Sequence, residues 1–168
     1  VAAGFEVVLV VTQPDRRRGR GSSLSPSPVK AAALDLGLSV TDEVNDLLGV
    51  NVDLGVVVAY GRLIRPPVLA QLPMVNLHFS LLPRWRGAAP VERAILAGDS
   101  RTGVDLMVVE ESLDTGGIYA RTELDIGPDE TLEELRGRLV EAGVRLLVEN
   151  LGAGLGTPSP QVGEPSYA

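Results

Sequence analysis

VNLHFSLLPRWRGAAP, residues Val75–Pro90, contains a strand, an irregular loop and the start of a helix. From Met74 to Phe79 the residues are apolar except at alternate positions, Asn76 and His78. Period-two alternation predicts a strand and puts these two polar side chains on the same face. The run stops at Pro83, passes through Arg84, Arg86 and Gly87, and re-enters a helical pattern near Ala89–Pro90. Proline suits the first turn of a helix, where its missing N–H has no partner to lose. The strand therefore delivers an amide and an imidazole to its C-terminal end. In open α/β sheets that is the edge where ligands bind.

A single histidine is more often structural than catalytic, and a lone asparagine more often belongs to a turn or a polar network. Sharing one face at a strand end changes the comparison. An imidazole exchanges protons near neutral pH, and an amide N–H can donate to a developing oxyanion. The pair suits attack on a carbonyl, although spacing alone leaves structural and catalytic roles both open. Asp114, in the loop SLDTGG, follows a strand and so comes to the same edge. It fits an ordinary Asx-turn, or a carboxylate that orients His78 or a water. No Ser or Cys nucleophile accompanies the three residues. Ser80 has no evident base beside it and does not sit in a G-x-S-x-G elbow. Direct transfer between two bound substrates is the chemistry such a set suggests.

Outward from this stretch, elements alternate. Buried strands are expected at Glu6–Thr12 and Asp53–Tyr60, further strands at Leu38–Val40 and Gly103–Val109, and an antiparallel edge strand at Ile118–Ile126. Helices are expected at Val29–Gly37, at Thr41–Leu48 with Thr41 as cap and Leu47 and Leu48 inward, and at Pro66–Leu72 and Pro90–Ala97. A long amphipathic helix is expected at Asp129–Leu151. The fold class is α/β: a doubly wound, Rossmann-like, mostly parallel sheet. No internal repeat is present.

The 168 residues, 45% hydrophobic and 22% charged, suffice for one domain with a sizeable core. With no cysteine and one histidine, disulfides, thiolate metal sites and histidine-rich metal sites are excluded, and no metal is expected. No apolar run approaches the ~18 residues that would span a membrane, and no signal-peptide pattern occurs, so a cytoplasmic protein without a membrane partner is expected. A net charge of −7 argues against a general nucleic-acid coat. The positive charge is unevenly placed, however. Gln13–Lys30 carries Arg16, Arg17, Arg18, Arg20 and Lys30 among glycines and Ser-Pro steps. It is either a solvated loop or a phosphate-binding arm, and it lacks the spacing of a Walker loop. The chain opens VAAGFEVVLVV, as though a helix were ending, and closes EPSYA with no terminal element. Segments beyond both ends are expected.

The run Asn76-Leu77-His78-Phe79-Ser80-Leu81-Leu82-Pro83, with Asp114 in LDTG, resembles the signature of the folate-dependent formyltransferases. TQPDRRRGRG and SPSPVK within 12–30, VVVAYG at 56–61 and LLPRWRGAAP at 81–90 resemble the branch acting on methionyl-tRNA. The resemblance covers essentially the whole chain. It implies formyl transfer from 10-formyltetrahydrofolate to the α-amine of initiator methionyl-tRNA, in translation initiation, with no DNA partner. Asn76, His78 and Asp114 match the catalytic trio, and Ser80, Leu81, Leu82 and Pro83 the folate-contacting turn. Arg20 matches an inserted-loop arginine that meets the tRNA acceptor stem, with Arg16, Arg17, Arg18 and Lys30 beside it. The alternatives are a related formyltransferase or hydrolase using a small-molecule amine or water, or an inactive folate- or RNA-binding fragment. Set against the family pattern, the opening strand with its G-T-P turn and the C-terminal β-barrel are missing. The region between Val40 and Asp53 is shorter, and Phe79 stands where many relatives carry glycine. The implied organisation is a catalytic domain over 1–151 and a tail over 152–168 leading to an absent domain.

Overall fold

The structure, a computed structural model, describes residues 1–17 and 24–168. These form two compact units, Val1–Asp53 with Ile64–Leu72, and Leu54–Leu63 with Pro73–Ala168.

In the first unit, β1 (Val10–Val11) pairs in parallel with β4 (Val40–Thr41), and between them lie β2 (Arg16–Arg17), β3 (Leu24–Ser25) and α1 (Pro28–Asp35). β2 and β3 pair antiparallel, Arg16 opposite Ser25 and Arg17 opposite Leu24. Helix α1 starts where Ser27 accepts a hydrogen bond from the Lys30 backbone N–H at 3.1 Å, and Gly37, at φ +70°, turns the chain out of it. Two expectations change here. Of the run Glu6–Thr12 only Val10–Val11 forms a ladder, and Val7 and Val8 are exposed. An apolar run becomes a strand only where a neighbour takes up its backbone groups, and among the described residues β1 has one such neighbour, β4. The helix expected at Thr41–Leu48 is instead a 3-10 helix at Val44–Gly49, and Leu48 is exposed. Thr41 lies outside it: its hydroxyl accepts from the Glu43 N–H at 3.1 Å and donates to Asp46 at 2.5 Å, closing a local turn instead of capping a helix. Helix α2 (Pro66–Leu69) packs against this 3-10 turn.

The second unit is built on a four-stranded sheet ordered β5 (Gly55–Val58), β6 (Met74–His78), β7 (Arg101–Val108), β8 (Ile118–Asp125). β5 and β6 are parallel, whereas β6–β7 and β7–β8 are antiparallel. Among the described residues, parallel pairing is thus confined to β1–β4 and β5–β6, and the chain is α/β without one continuous parallel sheet. The difference arises because a strand buried on both faces, such as β7, reads the same in either direction. β5 was expected to be buried, yet Val56 and Val58 are 43% and 47% exposed. The antiparallel strand expected at Ile118–Ile126 forms as β8.

Helix α3 (Pro90–Leu96) ends before Gly98, at φ +67°. Helix α4 (Leu132–Ala153) begins in a capping box: Thr131 Oγ1 accepts from the Glu134 N–H at 3.3 Å, and Glu134 Oε2 accepts from the Thr131 N–H at 2.9 Å. Its Leu135, Leu139 and Leu146 recur at helical spacing. They pack with Val75 and Leu77 of β6, Val104 and Leu106 of β7, and Val91 of α3. Truncating one of these leucines to alanine costs ~2–5 kcal/mol. The opposite face of β6 carries Asn76 and His78, so one strand supplies the core with one face and the site with the other.

Candidate active site

His78 ends β6 with its ring buried, 5% exposed. Its Nε2 lies 2.9 Å from the carbonyl oxygen of Trp85, in the loop that follows the strand. A carbonyl only accepts, so the network assigns the proton to Nε2. Nδ1 then faces Asp114 Oδ2 at 3.7 Å. The Asp114 carboxylate bonds across to the other loop, accepting from the Gly87 N–H at 2.8 Å, and is not turned back into an Asx-turn. Asp114 itself sits at φ +51°. Gly116 makes this geometry possible, since a Cβ there would overlap the Val108 carbonyl.

Asn76 is half-buried on the same face of β6 as His78. No described residue hydrogen-bonds its side chain. The structure therefore groups His78 and Asp114 directly and sets an uncommitted amide beside them along the strand. An amide donor and an imidazole backed by a carboxylate can bind a developing oxyanion and move a proton.

The turn Ser80–Pro83 leads away from His78. Ser80 is fully buried, and its hydroxyl donates to the Arg84 carbonyl at 2.5 Å, closing the turn from inside. Leu82 and Pro83, joined by a cis peptide, are also buried, while Leu81 is half-buried against Gly103. The Leu82 N–H donates to Asp105 Oδ2 at 2.9 Å, and the Leu82 carbonyl accepts from Arg121 Nη2 at 2.7 Å. Asp105, with no exposed surface, receives Arg121 through Nε and Nη2, both at 2.7 Å. These hydrogen bonds raise the Arg121 guanidinium above its ordinary pKa. Asp105 also stands directly opposite His78 in the β6–β7 register.

Further along, Arg84 grips Asp99 through Nε at 2.9 Å and Nη2 at 2.6 Å, and stacks 4.3 Å from the Trp85 ring centre. Trp85 Nε1 donates to the same carboxylate at 2.8 Å. Hydrogen bonding from Arg84 holds Asp99 below the ordinary carboxyl range, against a smaller opposing effect of burial.

In the basic segment, Arg16 and Arg17 are exposed on β2, and Lys30 pairs with Asp15 at 2.9 Å. Arg18 and Arg20 lie outside the described residues. Among the described residues, no group of three or more His, Asp or Glu could hold a metal ion, and no helix is long and apolar enough to cross a membrane.

Asp105, Arg121 and Asp99 escape a reading of the sequence. The signal for the first two is an Asp inside an apolar strand and an Arg in the next, visible as a pair only once the register is known.

Residues 2–151 match the formyl transferase family. The chain belongs to that family. It is 48% identical to the methionyl-tRNA formyltransferase of Heliobacterium modesticaldum, an alignment that takes in 100% of this chain and 57% of that protein. Against the methionyl-tRNA formyltransferase of Leifsonia xyli subsp. xyli it is 45% identical, covering 100% of this chain and 60% of the relative. The chain thus spans a little over half the length of these curated relatives. Among solved structures, phosphoribosylglycinamide formyltransferase from Bacillus halodurans superposes with a TM-score of 0.76 at 28% identity, covering 89% of this chain and 81% of that one. A sugar N-formyltransferase from Shewanella shares the formyltransferase fold at 20% identity and a TM-score of 0.72, over 83% of this chain and 59% of that one.

Proposed function

We propose that this chain carries the catalytic centre for moving a formyl group from 10-formyltetrahydrofolate to the α-amine of initiator methionyl-tRNA. The observation that carries the reading is His78 held between the Trp85 carbonyl and the Asp114 carboxylate, with the Asn76 amide uncommitted beside it. Relatives 44–49% identical over most of this chain bear the name methionyl-tRNA formyltransferase, which supports the acceptor.

The amine attacks the formyl carbon, a C–N bond forms, and the carbonyl electrons move to oxygen. Asn76 donates its amide N–H to that oxygen, and the His78 ring, its Nε2–H held by the Trp85 carbonyl, stabilises the charge from beside it. Asp114 keeps His78 oriented and accepts, directly or through water, the proton the amine releases. The same proton goes to the departing folate nitrogen as its bond to the formyl carbon breaks. The Ser80–Pro83 turn, pinned through Leu82, forms one wall for the folate. Arg16, Arg17, Arg18, Arg20 and Lys30 contact phosphates of the tRNA, where charge positions the ligand without reading its sequence. A cytoplasmic setting accords with both substrates.

The test compares formyl transfer from 10-formyltetrahydrofolate to methionyl-tRNA and to glycinamide ribonucleotide, in the full chain. Preference for methionyl-tRNA, lost on His78→Ala, is the expected result. Preference for the small amine would replace the acceptor assignment, and transfer that survives His78→Ala would refute the site.

A further inference from the structure

Gln161 lies in the Gly/Pro-rich stretch after α4, far in sequence from the strand ends that form the site. Its side chain is nonetheless the most fully engaged amide in the second unit. Gln161 Nε2 donates to the carbonyl of Asp114 at 2.8 Å and to that of Gly116 at 2.9 Å. Gln161 Oε1 accepts from Arg86 Nη2 at 2.6 Å and Nε at 3.2 Å. Both donors and both acceptor sites of the amide are in use.

These bonds, with the 3.7 Å approach of the Asp114 carboxylate to His78 Nδ1, close a ring. His78 bonds the Trp85 carbonyl, the adjacent Arg86 reaches Gln161, Gln161 holds the Asp114 carbonyl, and the Asp114 carboxylate returns to His78 and to the Gly87 N–H. Asp114 sits in the left-handed region at φ +51°. A non-glycine residue keeps that conformation only where its surroundings fix it, and a hydrogen bond to its own carbonyl is such a restraint. The segment around Gln161 is itself anchored: the Ser159 N–H bonds the Ile118 carbonyl at 2.9 Å, the Arg86 N–H bonds the Ser166 carbonyl at 2.8 Å, and the Trp85 N–H bonds Ser166 Oγ at 3.0 Å.

We propose that Gln161 is a positioning residue for formyl transfer, fixing the Asp114 carboxylate relative to the His78 ring from outside the catalytic loops. The proposal rests on the reading of His78 and Asp114 given above. Gln161 touches neither substrate. It acts through the backbone of Asp114, so its loss slows the chemical step and leaves folate binding in place.

The experiment uses the full chain with Gln161→Met, which keeps the volume and removes the amide, and Gln161→Glu, which can still pair with Arg86 but has no N–H for the two carbonyls. Val162→Ala, at an exposed neighbouring position, is the control. Two readouts are taken beside the melting temperature: kcat and KM for the folate donor, and the ring-proton NMR signals of His78, which is the chain's only histidine. Misplacement of a reacting group by ~1 Å costs roughly 100-fold. Both Gln161 variants are therefore expected to lose about tenfold or more in kcat with KM changed less than about twofold, and to shift the His78 signals at fixed pH. Val162→Ala is expected to behave as wild type. His78 signals unchanged in both variants, or a kcat loss in Gln161→Met absent from Gln161→Glu, would overturn the proposal. So would rate losses that merely follow a lowered melting temperature. Should the wild-type chain prefer another acceptor, the methionyl-tRNA reading fails, while the His78 signals still decide the role of Gln161.

Discussion

The loop after β6 and the segment before α1 are both rich in arginine, yet the structure treats the described arginines of the two in opposite ways. Arg84 is clamped on Asp99 and stacked on Trp85, and Arg86 is bonded to Gln161. Arg16 and Arg17 stand exposed on a two-residue ladder, and the close ion pair of their segment belongs to Lys30 and Asp15. An arginine engaged by internal carboxylates and amides fixes backbone geometry, as a reaction needing oriented donors requires. An exposed arginine acts at longer range, through charge, on a partner that brings its own phosphates.

The largest expected effect falls on the fixed region. Asn76→Ala and His78→Ala are each expected to lower kcat by about 100- to 1,000-fold, the usual cost of losing one group that stabilises an oxyanion, with folate binding retained in a binding titration. Activity within tenfold of wild type for either variant would mean that the ordering of this loop serves stability and not chemistry.

Next comes the buried pair beneath the Leu82 turn. Arg121→Met leaves the Asp105 carboxylate without its guanidinium in a site with no solvent exposure. Removing one partner of a buried pair costs ~3–5 kcal/mol. The lower end applies because Arg121 is about a third exposed. The shift is read from urea unfolding, and adding Asp105→Asn to Arg121→Met is expected to restore most of the loss. No loss in the single variant would show that the turn is held by other contacts.

These two predictions differ in how far they could be foreseen. Asn76, His78 and their strand are legible because β6 follows strict alternation, and α4 because its leucines repeat at helical spacing. Asp114 is legible as a loop residue at a strand end, though not its φ of +51° or its bond to Gly87. Asp105 looks like an interruption of an apolar run until the antiparallel register sets Arg121 opposite it. Gln161 leaves no periodic trace, because its partners are loop carbonyls more than forty residues earlier. Strand direction was misjudged at β7, where burial on both faces erases the difference between parallel and antiparallel pairing. The exposed valines of β5 and of the run before β1 were misjudged because apolar content measures capacity for burial, whereas burial itself requires a neighbour.

On the exposed side of the comparison, Arg16→Ala with Arg17→Ala is expected to raise KM for methionyl-tRNA severalfold and leave KM for the folate donor alone. The slope of log K against log salt should fall by about 1–2, since each phosphate contact contributes ~0.7–0.9. A changed melting temperature with an unchanged salt slope would place these arginines with Arg84 and Arg86 as structural residues.

The smallest effect tests whether Arg84 is as firmly held as its geometry implies. Arg84 and Trp85 both donate to Asp99, and the Arg84 hydrogen bonds are the main cause that depresses the Asp99 carboxyl. A carboxyl whose folded pKa lies below its unfolded value binds protons more readily when unfolded. Its stabilisation is therefore complete above the unfolded value, ~3.9, and is lost as pH falls from there through the lower folded value. Half of the Arg84 side chain is exposed, so solvent screening limits the contribution to about 1 kcal/mol or less. Asp99→Asn should accordingly melt below wild type at pH 7, with the gap narrowing as pH drops under ~4 and closing near ~2. Melting curves across this range, at constant ionic strength, give the answer. A gap that stays constant down to pH 2 would mean that Asp99 acts through shape and not charge. No gap at pH 7 would mean that Arg84 is held no more tightly than Arg16 and Arg17, and the contrast between the two arginine-rich regions would then rest on Arg86 and Gln161 alone.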